Sequence, residues 1–354
     1  MQVSFIIPLY NCLALTQECL RTLQSTVPAG LAHEVILVDD GSTDGTREWL
    51  AGLRSLKGLP GLREPAVSVS DPALGSVSPC RVFLNDCNSG FAATCNRGAA
   101  EAQGKVLFFL NNDLVFLPGW FQPMLALVQA HGVGLVGNIQ LNATTGTIDH
   151  AGLWFNRKGK PVHSTEFSWL ARLSGRREAP AVTGACFAIR QTHWRQLGGF
   201  DEAFVNGSED VDLCFKARRA GLRNCVATRS VVRHHVSQSP GRKLRDEENN
   251  RLLLQRWRAV VAQLSMPDVC AACLEVAWEE PRNYPDQRLA RDAFLHRLRF
   301  WPRPTGRLVA VSDAAFEIEF RRWAQLLDGG PTPPAAETLA WQLFQAPPDR
   351  PAVI

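Results

Sequence analysis

Short apolar runs alternate with amphipathic stretches along the first part of the chain, and this alternation is the feature that most limits the fold. Each run has the length and composition of a buried strand. The runs lie at residues 2–8, 34–39, 81–84, 105–110 and 133–139. The segments between them carry helical patterns of 10–15 residues, such as the one that ends at Pro28. Strands that alternate with helices in this way predict βαβ units and a mostly parallel, Rossmann-like sheet flanked by helices, an α/β fold.

The pattern changes twice further along the chain. Residues 58–80 are rich in Pro, Gly and Ser and predict a long loop, and residues 146–182 are also loop-rich. A strand at 183–189, a helix at about 208–220 and a long helix at 243–264 follow. Beyond residue 264 the chain has a helical pattern interrupted by prolines. We therefore predict one domain over residues 1–264 and a helical C-terminal extension over residues 265–354.

Composition excludes several classes of protein. Of 354 residues, 45% are hydrophobic and 20% are charged, which excludes general disorder. The net charge of +4 is scattered, with no basic stripe, so we expect no nucleic-acid partner.

No apolar run approaches the ~20 residues of a membrane span, and the N-terminus has the pattern of a strand, so we expect a cytoplasmic protein. The one C-x-x-C, Cys270 and Cys273, lies in a helical pattern and is expected to be buried packing.

Polar side chains follow successive predicted strands, where α/β sheets bind ligands. Asp39 and Asp40 follow the second strand, residues 88–96 follow the third, and Asp113 follows the fourth. The first strand leads into Pro-Leu-Tyr-Asn and not into a glycine-rich phosphate loop, which argues against dinucleotide folds and P-loop NTPases. A diphosphate ligand would then need a divalent metal as its counter-charge, and Asp113 is a candidate metal ligand.

Two further clusters lie later in the chain. Glu209, Asp210 and Asp212 open a predicted helix, where acids suit either the helix dipole or general-base chemistry. His234 and His235 end an apolar strand, and alternation along a strand sends adjacent side chains to opposite faces. One of these two histidines is therefore expected to point inward as a metal ligand.

These stretches together resemble the family 2 glycosyltransferases of the GT-A fold, and particularly the bacterial rhamnosyltransferase-like branch. The resemblance covers roughly residues 1–260. It rests on eight pieces in family order: IIPLYN at 6–11, VDDGSTDGT at 38–46, NSGFAATCNRG at 88–98, LFFLNND at 107–113, TGACFAIR at 183–190, LGGFDEAF at 197–204, SEDVDLCFKARRAG at 208–221 and HHVSQS at 234–239.

The resemblance implies a role for each matched residue. The nucleotide-sugar pocket would include Pro8, Tyr10, Asn11, Asp39, Asp40, Ser42, Asn88, Gly90, Phe91, Asn96, Asn111 and Asn112. Asn111-Asn112-Asp113 stands at the family's Asp-x-Asp motif with Asn in its first place, so Mg²⁺ or Mn²⁺ would rest on Asp113 and on His234 or His235. Asp210, beside Glu209, would be the catalytic base that deprotonates the acceptor.

The implied reaction is inverting transfer of a sugar from a UDP- or dTDP-sugar to the hydroxyl of a saccharide or lipid-linked saccharide, in the synthesis of a bacterial cell-surface polysaccharide or glycolipid. Two alternatives stay open: a non-catalytic subunit or scaffold that binds nucleotide sugars, and a sugar-phosphate nucleotidyltransferase. The role of residues 265–354 is also open. They could pack on the first domain, form a homodimer or contact a membrane peripherally, at its inner face.

Overall fold

The computed structural model describes residues 1–55, 66–68, 79–166, 169–235, 245–279 and 287–329. The chain divides into two compact units. The first comprises Met1–Leu153 and His163–Arg245. The second combines Trp154–Val162 with the chain from Asp246 onward.

The strands and helices occur along the whole described chain. The strands are β1 (Val3–Leu9), β2 (His33–Asp39), β3 (Ala66–Ser68), β4 (Pro79–Leu84), β5 (Val106–Leu110), β6 (Leu114–Phe116), β7 (Val133–Asn142), β8 (Ile148–His150), β9 (Leu153–Phe155), β10 (Pro161–His163), β11 (Arg177–Glu178), β12 (Cys186–Arg190) and β13 (Arg223–His234). The helices are α1 (Leu13–Thr26), α2 (Thr46–Ser55), α3 (Phe91–Glu101), α4 (Phe121–Val128), α5 (Trp169–Ser174), α6 (Gln191–Leu197), α7 (Glu209–Arg219), α8 (Asp246–Glu279), α9 (Gln287–Arg297) and α10 (Gly306–Asp328).

The main sheet has the order β11-β13-β7-β12-β5-β1-β2-β4-β3. Its centre, β4-β2-β1-β5, is parallel, so four strands end at the same edge. The sheet as a whole is mixed and not mostly parallel as the alternation predicts, because β12 enters antiparallel between β5 and β7. The expected α/β architecture, a sheet flanked by helices, is confirmed, with parallel pairing confined to the centre and to β7 with β13.

The core explains why β1 lies at the centre. Its residues are buried on both faces, and the ring of Phe5 lies 5.5 Å from Phe108 and 5.9 Å from Phe121, centroid to centroid. On the other face α3 packs closely, because a Cβ on Gly98 would lie 2.6 Å from Cγ2 of Ile6. This close approach brings the N-terminus of α3 to the carboxyl ends of the parallel strands.

Several predicted boundaries differ from the structure. The loop-rich stretch 146–182 contains β8 to β11 and α5, and α6 forms where no helix was predicted. The predicted 58–80 loop and the motif at 234–239 lie partly outside the described residues. The long helix spans Asp246–Glu279 with a kink at Trp257, where φ is −122° and the backbone is not helical, and it includes Pro267, so the predicted boundary between residues 264 and 265 falls inside α8. The compact units divide at Asp246 instead.

The second unit is built from α8, α9 and α10 with the segment Trp154–Val162. Its apolar core joins Met266, Val269, Cys270 and Cys273 of α8 to Leu289, Ala293 and Leu308. Burial raises the pKa of the Cys270 thiol to about 11. These two cysteines therefore act as small packing residues, as the sequence predicts.

Helix α8 contains the stretch Asp246–Trp278, which among the described residues is the one helix long and apolar enough to cross a membrane. A single helix of this kind is weak support for a span, because the core helix of a helical unit meets the same measure. Met266, Val269 and Cys273 pack against Leu289 and Leu308 within the unit, which accounts for their apolar character.

Glu247 should make the stability of the second unit depend on pH. Burial alone would raise its pKa, but hydrogen bonds from Arg322, Trp323 and Lys160 lower the pKa to about 2, against 4.5 when unperturbed. This stabilisation is complete above pH 4.5 and is lost as the pH falls towards 2. Glu247→Gln should therefore cost about 1–2 kcal/mol of unfolding free energy at pH 6 and clearly less at pH 3.

Urea unfolding at both pH values measures this difference. Glu275→Gln is the matched control, since Glu275 is an exposed acid on the same helix. A loss for Glu247→Gln that is equal at pH 6 and pH 3 would contradict the assignment.

Candidate active site

The turn after β1 joins three of the strand ends. Asn11 adopts a left-handed backbone with φ of 59°. Its main-chain N–H donates to Ser42 Oγ at 2.8 Å, and its side-chain oxygen accepts from the N–H of Thr43 at 2.7 Å. Asn112 Nδ2 donates to the carbonyl of Asn11 at 3.1 Å and to Thr16 Oγ1 at 2.9 Å. Asn11 therefore holds the ends of β1, β2 and β5 together. Pro8 and Tyr10, beside it, are half-buried.

Asp39 shapes the turn that follows β2. Its carboxylate is fully buried and accepts from the N–H of Gly41 at 3.1 Å and of Ser42 at 3.3 Å. Arg47 Nε lies 3.3 Å from the same carboxylate and balances its charge. A Cβ on Gly41 would lie 2.9 Å from the nitrogen of Asn88, so only glycine lets the two loops approach this closely.

Asp40 organises the loop between β4 and α3. Its Oδ1 accepts from Asn85 Nδ2 and from the N–H of Ser89, both at 2.8 Å, and its Oδ2 accepts from the N–H of Gly90 at 2.9 Å. Asp40 is only 4% exposed. The resemblance implies that Asp40 belongs to the nucleotide-sugar pocket, and in the structure its two oxygens position the loop that carries Asn88, Gly90 and Phe91.

Asn96, which the resemblance places in the nucleotide-sugar pocket, contacts the loop that follows α6. Its Nδ2 donates to the carbonyl of Phe200 at 3.0 Å and to Glu202 Oε1 at 2.9 Å, and its Oδ1 accepts from the N–H of Phe200 at 3.0 Å. In the same region the N–H of Phe91 donates to Asn206 Oδ1 at 3.0 Å. Asn96 thus ties α3 to the 198–207 loop.

Glu209 and Asp210 are adjacent but have different surroundings. Glu209 is 5% exposed, and its Oε2 accepts from the N–H of Gly207 at 2.7 Å, which closes the turn before α7. Asp210 is half-buried, and its Oδ2 accepts from the N–H of Gly184 at 2.6 Å. A fixed, partly accessible carboxylate suits a base, so Asp210 fits that role and Glu209 fits a structural one.

Asp113 and His234 meet on the same edge of the sheet. The distance between Asp113 Oδ1 and His234 Nε2 is 3.2 Å, and both side chains are almost fully buried. The main-chain N–H of His235 donates to the carbonyl of Asp113 at 3.1 Å. Because β13 pairs with β6 and β7, His234 turns towards Asp113 and alternation sends the His235 side chain to the other face.

The Asp113–His234 pair has unsatisfied polar atoms. Although Asp113 Oδ1 and His234 Nε2 are close, they are not aligned as a hydrogen bond, and neither these atoms nor His234 Nδ1 has a hydrogen-bond partner among the described residues. An unsatisfied buried polar atom costs about 1–3 kcal/mol, so this arrangement favours a ligand that binds oxygen and nitrogen. The described residues contain no group of three or more metal-ligating side chains. Two protein ligands still fit Mg²⁺, which usually keeps waters and substrate phosphates as its other ligands.

His150 is a candidate residue that sequence reasoning missed. It is fully buried, and its Nδ1 lies 3.2 Å from Nδ1 of His163. Burial, with the charges of His163 and His234 added, holds the pKa of His150 well below its usual range, so it is neutral. The only signal in the sequence is a histidine in a stretch that has no clear periodicity.

A main-chain hydrogen bond links the two halves of the site. The N–H of Asn111 donates to the carbonyl of Ala185 at 2.8 Å, and the neighbouring Gly184 holds Asp210. This hydrogen bond therefore holds the segment with Asp113 next to the segment that orients Asp210. The structure brings together the predicted residues of the β1, β2, β4 and β5 ends, Asp113, His234 and Asp210.

Comparisons with known proteins agree on one family and one fold. The family described as "Glycosyl transferase family 2" matches residues 4–197. The chain is 33% identical over 160 residues to the O-antigen biosynthesis protein RfbC of Myxococcus xanthus, covering 42% of this chain and 12% of that protein. It is 27% identical over 294 residues to glycosyltransferase AglE of Haloferax volcanii, covering 82% and 85%.

Two solved structures share the fold. They are GalNAc-T7 with UDP, GalNAc and Mn²⁺, and the mannosyltransferase PcManGT of Pyrobaculum calidifontis with GDP-Man and Mn²⁺. The first has a TM-score of 0.57 at 16% identity and covers 85% of this chain and 57% of that one. The second has a TM-score of 0.51 at 15% identity and covers 93% and 88%. The chain spans well under half of several curated relatives, including 28% of a Sinorhizobium fredii protein.

Asp40→Asn should loosen the loop between β4 and α3. The substitution replaces one of the two acceptor oxygens by an NH₂ group. This group would face N–H donors at a site that is 4% exposed. We expect a loss of about 1–3 kcal/mol in unfolding free energy, measured by urea denaturation at pH 7. Asp86→Asn is the control, because Asp86 is exposed in the same loop and should change stability by less than about 0.5 kcal/mol. Equal losses for the two variants would refute the positioning role of Asp40.

Proposed function

The chain belongs to glycosyl transferase family 2, and we propose that it transfers a sugar, with inversion, from a nucleotide diphosphosugar to an acceptor hydroxyl. One observation carries this proposal: the site contains both a fixed, half-buried Asp210 and the unsatisfied Asp113–His234 pair. The segments that carry them are joined by the hydrogen bond between Asn111 and Ala185. One group could accept a proton and the other could hold a metal.

The donor nucleotide would bind at the ends of the parallel strands. Half-buried Pro8 and Tyr10 and the exposed Asn88 border this edge, and Asn11, Ser42 and Asp40 hold its loops in place. Arg47 is paired with Asp39 in these loops, so a divalent cation would balance the charge of the diphosphate. Asn111 and Asn112 would line the same pocket through their amides.

Asp113 and His234 would hold a divalent cation, Mg²⁺ or Mn²⁺. Such a cation stabilises the negative charge that develops on the leaving nucleoside diphosphate. Carboxylate oxygen and imidazole nitrogen are the donors that these two side chains offer, and their unsatisfied atoms lie 3.2 Å apart. His235 would help to position Asp113 through the hydrogen bond that its main-chain N–H donates to the carbonyl of Asp113.

Asp210 would act as the base. The acceptor oxygen forms its bond to the anomeric carbon while the bond from that carbon to the diphosphate oxygen breaks, and Asp210 takes the hydroxyl proton. Attack from the face opposite the leaving group inverts the anomeric carbon. The hydrogen bond from Gly184 holds Oδ2 of Asp210, which fixes the direction of the carboxylate before the acceptor arrives.

The donor and the pathway are part of the proposal. We favour a UDP- or dTDP-sugar and the rhamnosyltransferase-like branch, with a saccharide or lipid-linked saccharide as acceptor. The likeness to an O-antigen biosynthesis protein supports a role in cell-surface polysaccharide synthesis. The likeness to the structures with UDP and with GDP-Man shows the fold alone and does not identify the donor. A donor panel therefore has to include UDP-, dTDP- and GDP-sugars.

Asp210→Asn should lower the turnover by about 10²–10⁴-fold, since general-base help is worth that much. The affinity for UDP or dTDP and the unfolding midpoint should stay close to wild type. The measurement is nucleoside diphosphate release from a donor panel with saccharide acceptors. Glu209→Gln is the matched control and should keep turnover within about tenfold, because its oxygen closes a turn. If the Asp210→Asn variant turned over at the wild-type rate, the assignment of Asp210 as the base would be wrong.

His234→Ala should weaken Mn²⁺ binding at least tenfold in the presence of UDP, as measured by calorimetry or by the Mn²⁺ electron-spin signal. Saturating Mn²⁺ and UDP at about 100 Kd should stabilise the wild type by about 2.7 kcal/mol, and this gain should shrink in the variant. His235→Ala should bind Mn²⁺ like the wild type, because its side chain lies on the other face. Activity that survives EDTA, or a loss with His235→Ala alone, would count against the metal site.

A further inference from the structure

The end of α9 and the start of α10 form an exposed, apolar and basic surface that the proposed reaction does not use. We call residues 287–310 the α9 tip. Phe294, Leu298 and Phe300 in it are 52%, 50% and 71% exposed. Leu298 directly follows α9 and donates its N–H to the carbonyl of Phe294 at 3.0 Å, so the two side chains, four residues apart, share one side. The opposite side of the helix, with Leu289 and Ala293, packs into the core of the second unit.

The exposed side chains are held in place by the end of the helix. Arg299 adopts a left-handed backbone with φ of 61°, which non-glycine residues rarely do. The N–H of Phe300 donates to the carbonyl of Leu295 at 3.0 Å, and His296 Nδ1 lies 2.8 Å from the carbonyl of Trp301. The chain therefore turns back sharply, and Phe300 is exposed on a hydrogen-bonded turn.

Arginines surround these apolar residues. The tip contains one acid, Asp292, against six exposed arginines: Arg288, Arg291, Arg297, Arg299, Arg303 and Arg307. Asp292 is fully buried and accepts from Thr305 Oγ1 at 2.9 Å and from Arg307 Nη1 at 3.1 Å. Arg291 Nη2 also lies 3.3 Å from Asp292, and the tip carries a net charge of +5, although the whole chain is only +4.

We propose that the α9 tip docks on a membrane surface that contains anionic lipids. Apolar side chains beside an arginine-rich face are the pattern of an interfacial segment: the rings enter the boundary of the acyl chains, and the guanidinium groups bind lipid phosphates. A second copy of the chain is a poor occupant, because it would bring one positive tip against another. This inference goes beyond the proposed transfer reaction and does not require it.

A second group of exposed apolar residues lies on α5. Trp169, Leu170 and Leu173 of α5 are 59–68% exposed, but the ten residues 169–178 carry only three arginines and one glutamate. The triplet therefore has the same number of exposed apolar side chains and a smaller total charge, +2 against +5, at a similar charge per residue. It provides the matched control surface on the same molecule.

Vesicle co-sedimentation tests the proposal with the full chain. Wild type should bind vesicles of 30% phosphatidylglycerol in phosphatidylcholine at 0.1 M NaCl, bind pure phosphatidylcholine at least tenfold more weakly, and release at 0.5 M NaCl. The triple variant Phe294→Ser, Leu298→Ser, Phe300→Ser should lower partitioning at least tenfold. Because all three side chains are exposed, its unfolding midpoint should match the wild type, which separates docking from folding.

Two further variants complete the test. Arg299→Gln with Arg303→Gln should weaken binding to the anionic vesicles and reduce its salt dependence. The triple change of Trp169, Leu170 and Leu173 to Ser should leave binding unchanged.

Four results would overturn the proposal. The wild type could bind neither vesicle, or it could bind a 20-nucleotide RNA more tightly than anionic vesicles. The α5 variant could lose vesicle binding while the tip variant keeps it. The tip variant could convert a dimer to a monomer and still bind vesicles.

Discussion

Parallel pairing of β1 with β2 and β5, and of β2 with β4, is the constraint on which the site depends. It makes four strands end at one edge, where main-chain groups still need partners. The ladder continues past the strands: the N–H of Asp40 donates to the carbonyl of Leu9, and the N–H of Asn85 donates to the carbonyl of Asp39. The polar residues that follow each strand are therefore held within hydrogen-bond reach of one another.

The buried carboxylates at this edge fall into two groups. Asp39 and Asp40 have donors on their oxygens, and they shape turns. Asp113 keeps an oxygen without a partner among the described residues, next to an imidazole in the same condition. A satisfied buried acid stabilises its own loop, whereas an unsatisfied one lowers its energy by binding something else. This difference separates positioning residues from candidate ligands more sharply than burial does.

The second unit shows how a middle segment can complete a C-terminal one. Gly159 lies against Leu254, Val261 and Phe316, where a Cβ would be 3.2 Å from each of them. Arg157 forms an ion pair with Asp268 at 3.7 Å. The C-terminal helices thus share a core with residues 154–162, and a division of the chain by sequence position alone separates residues that pack together.

The sequence by itself determined the α/β class, the central strands, most flanking helices and the residues at the strand ends. Long apolar runs and helical spacing are local properties, so they are readable without a fold. It did not determine α6 or β8 to β11, because short elements carry little periodicity.

Only the tertiary structure decided the antiparallel entry of β12, the extent of α8, the turning of Asn96 towards Phe200, and the choice of His234 over His235. Alternation along a strand predicts that two adjacent side chains face opposite ways. Which of them faces inward depends on the neighbouring strands, here β6 and β7 beside β13, and that pairing joins residues far apart in the chain.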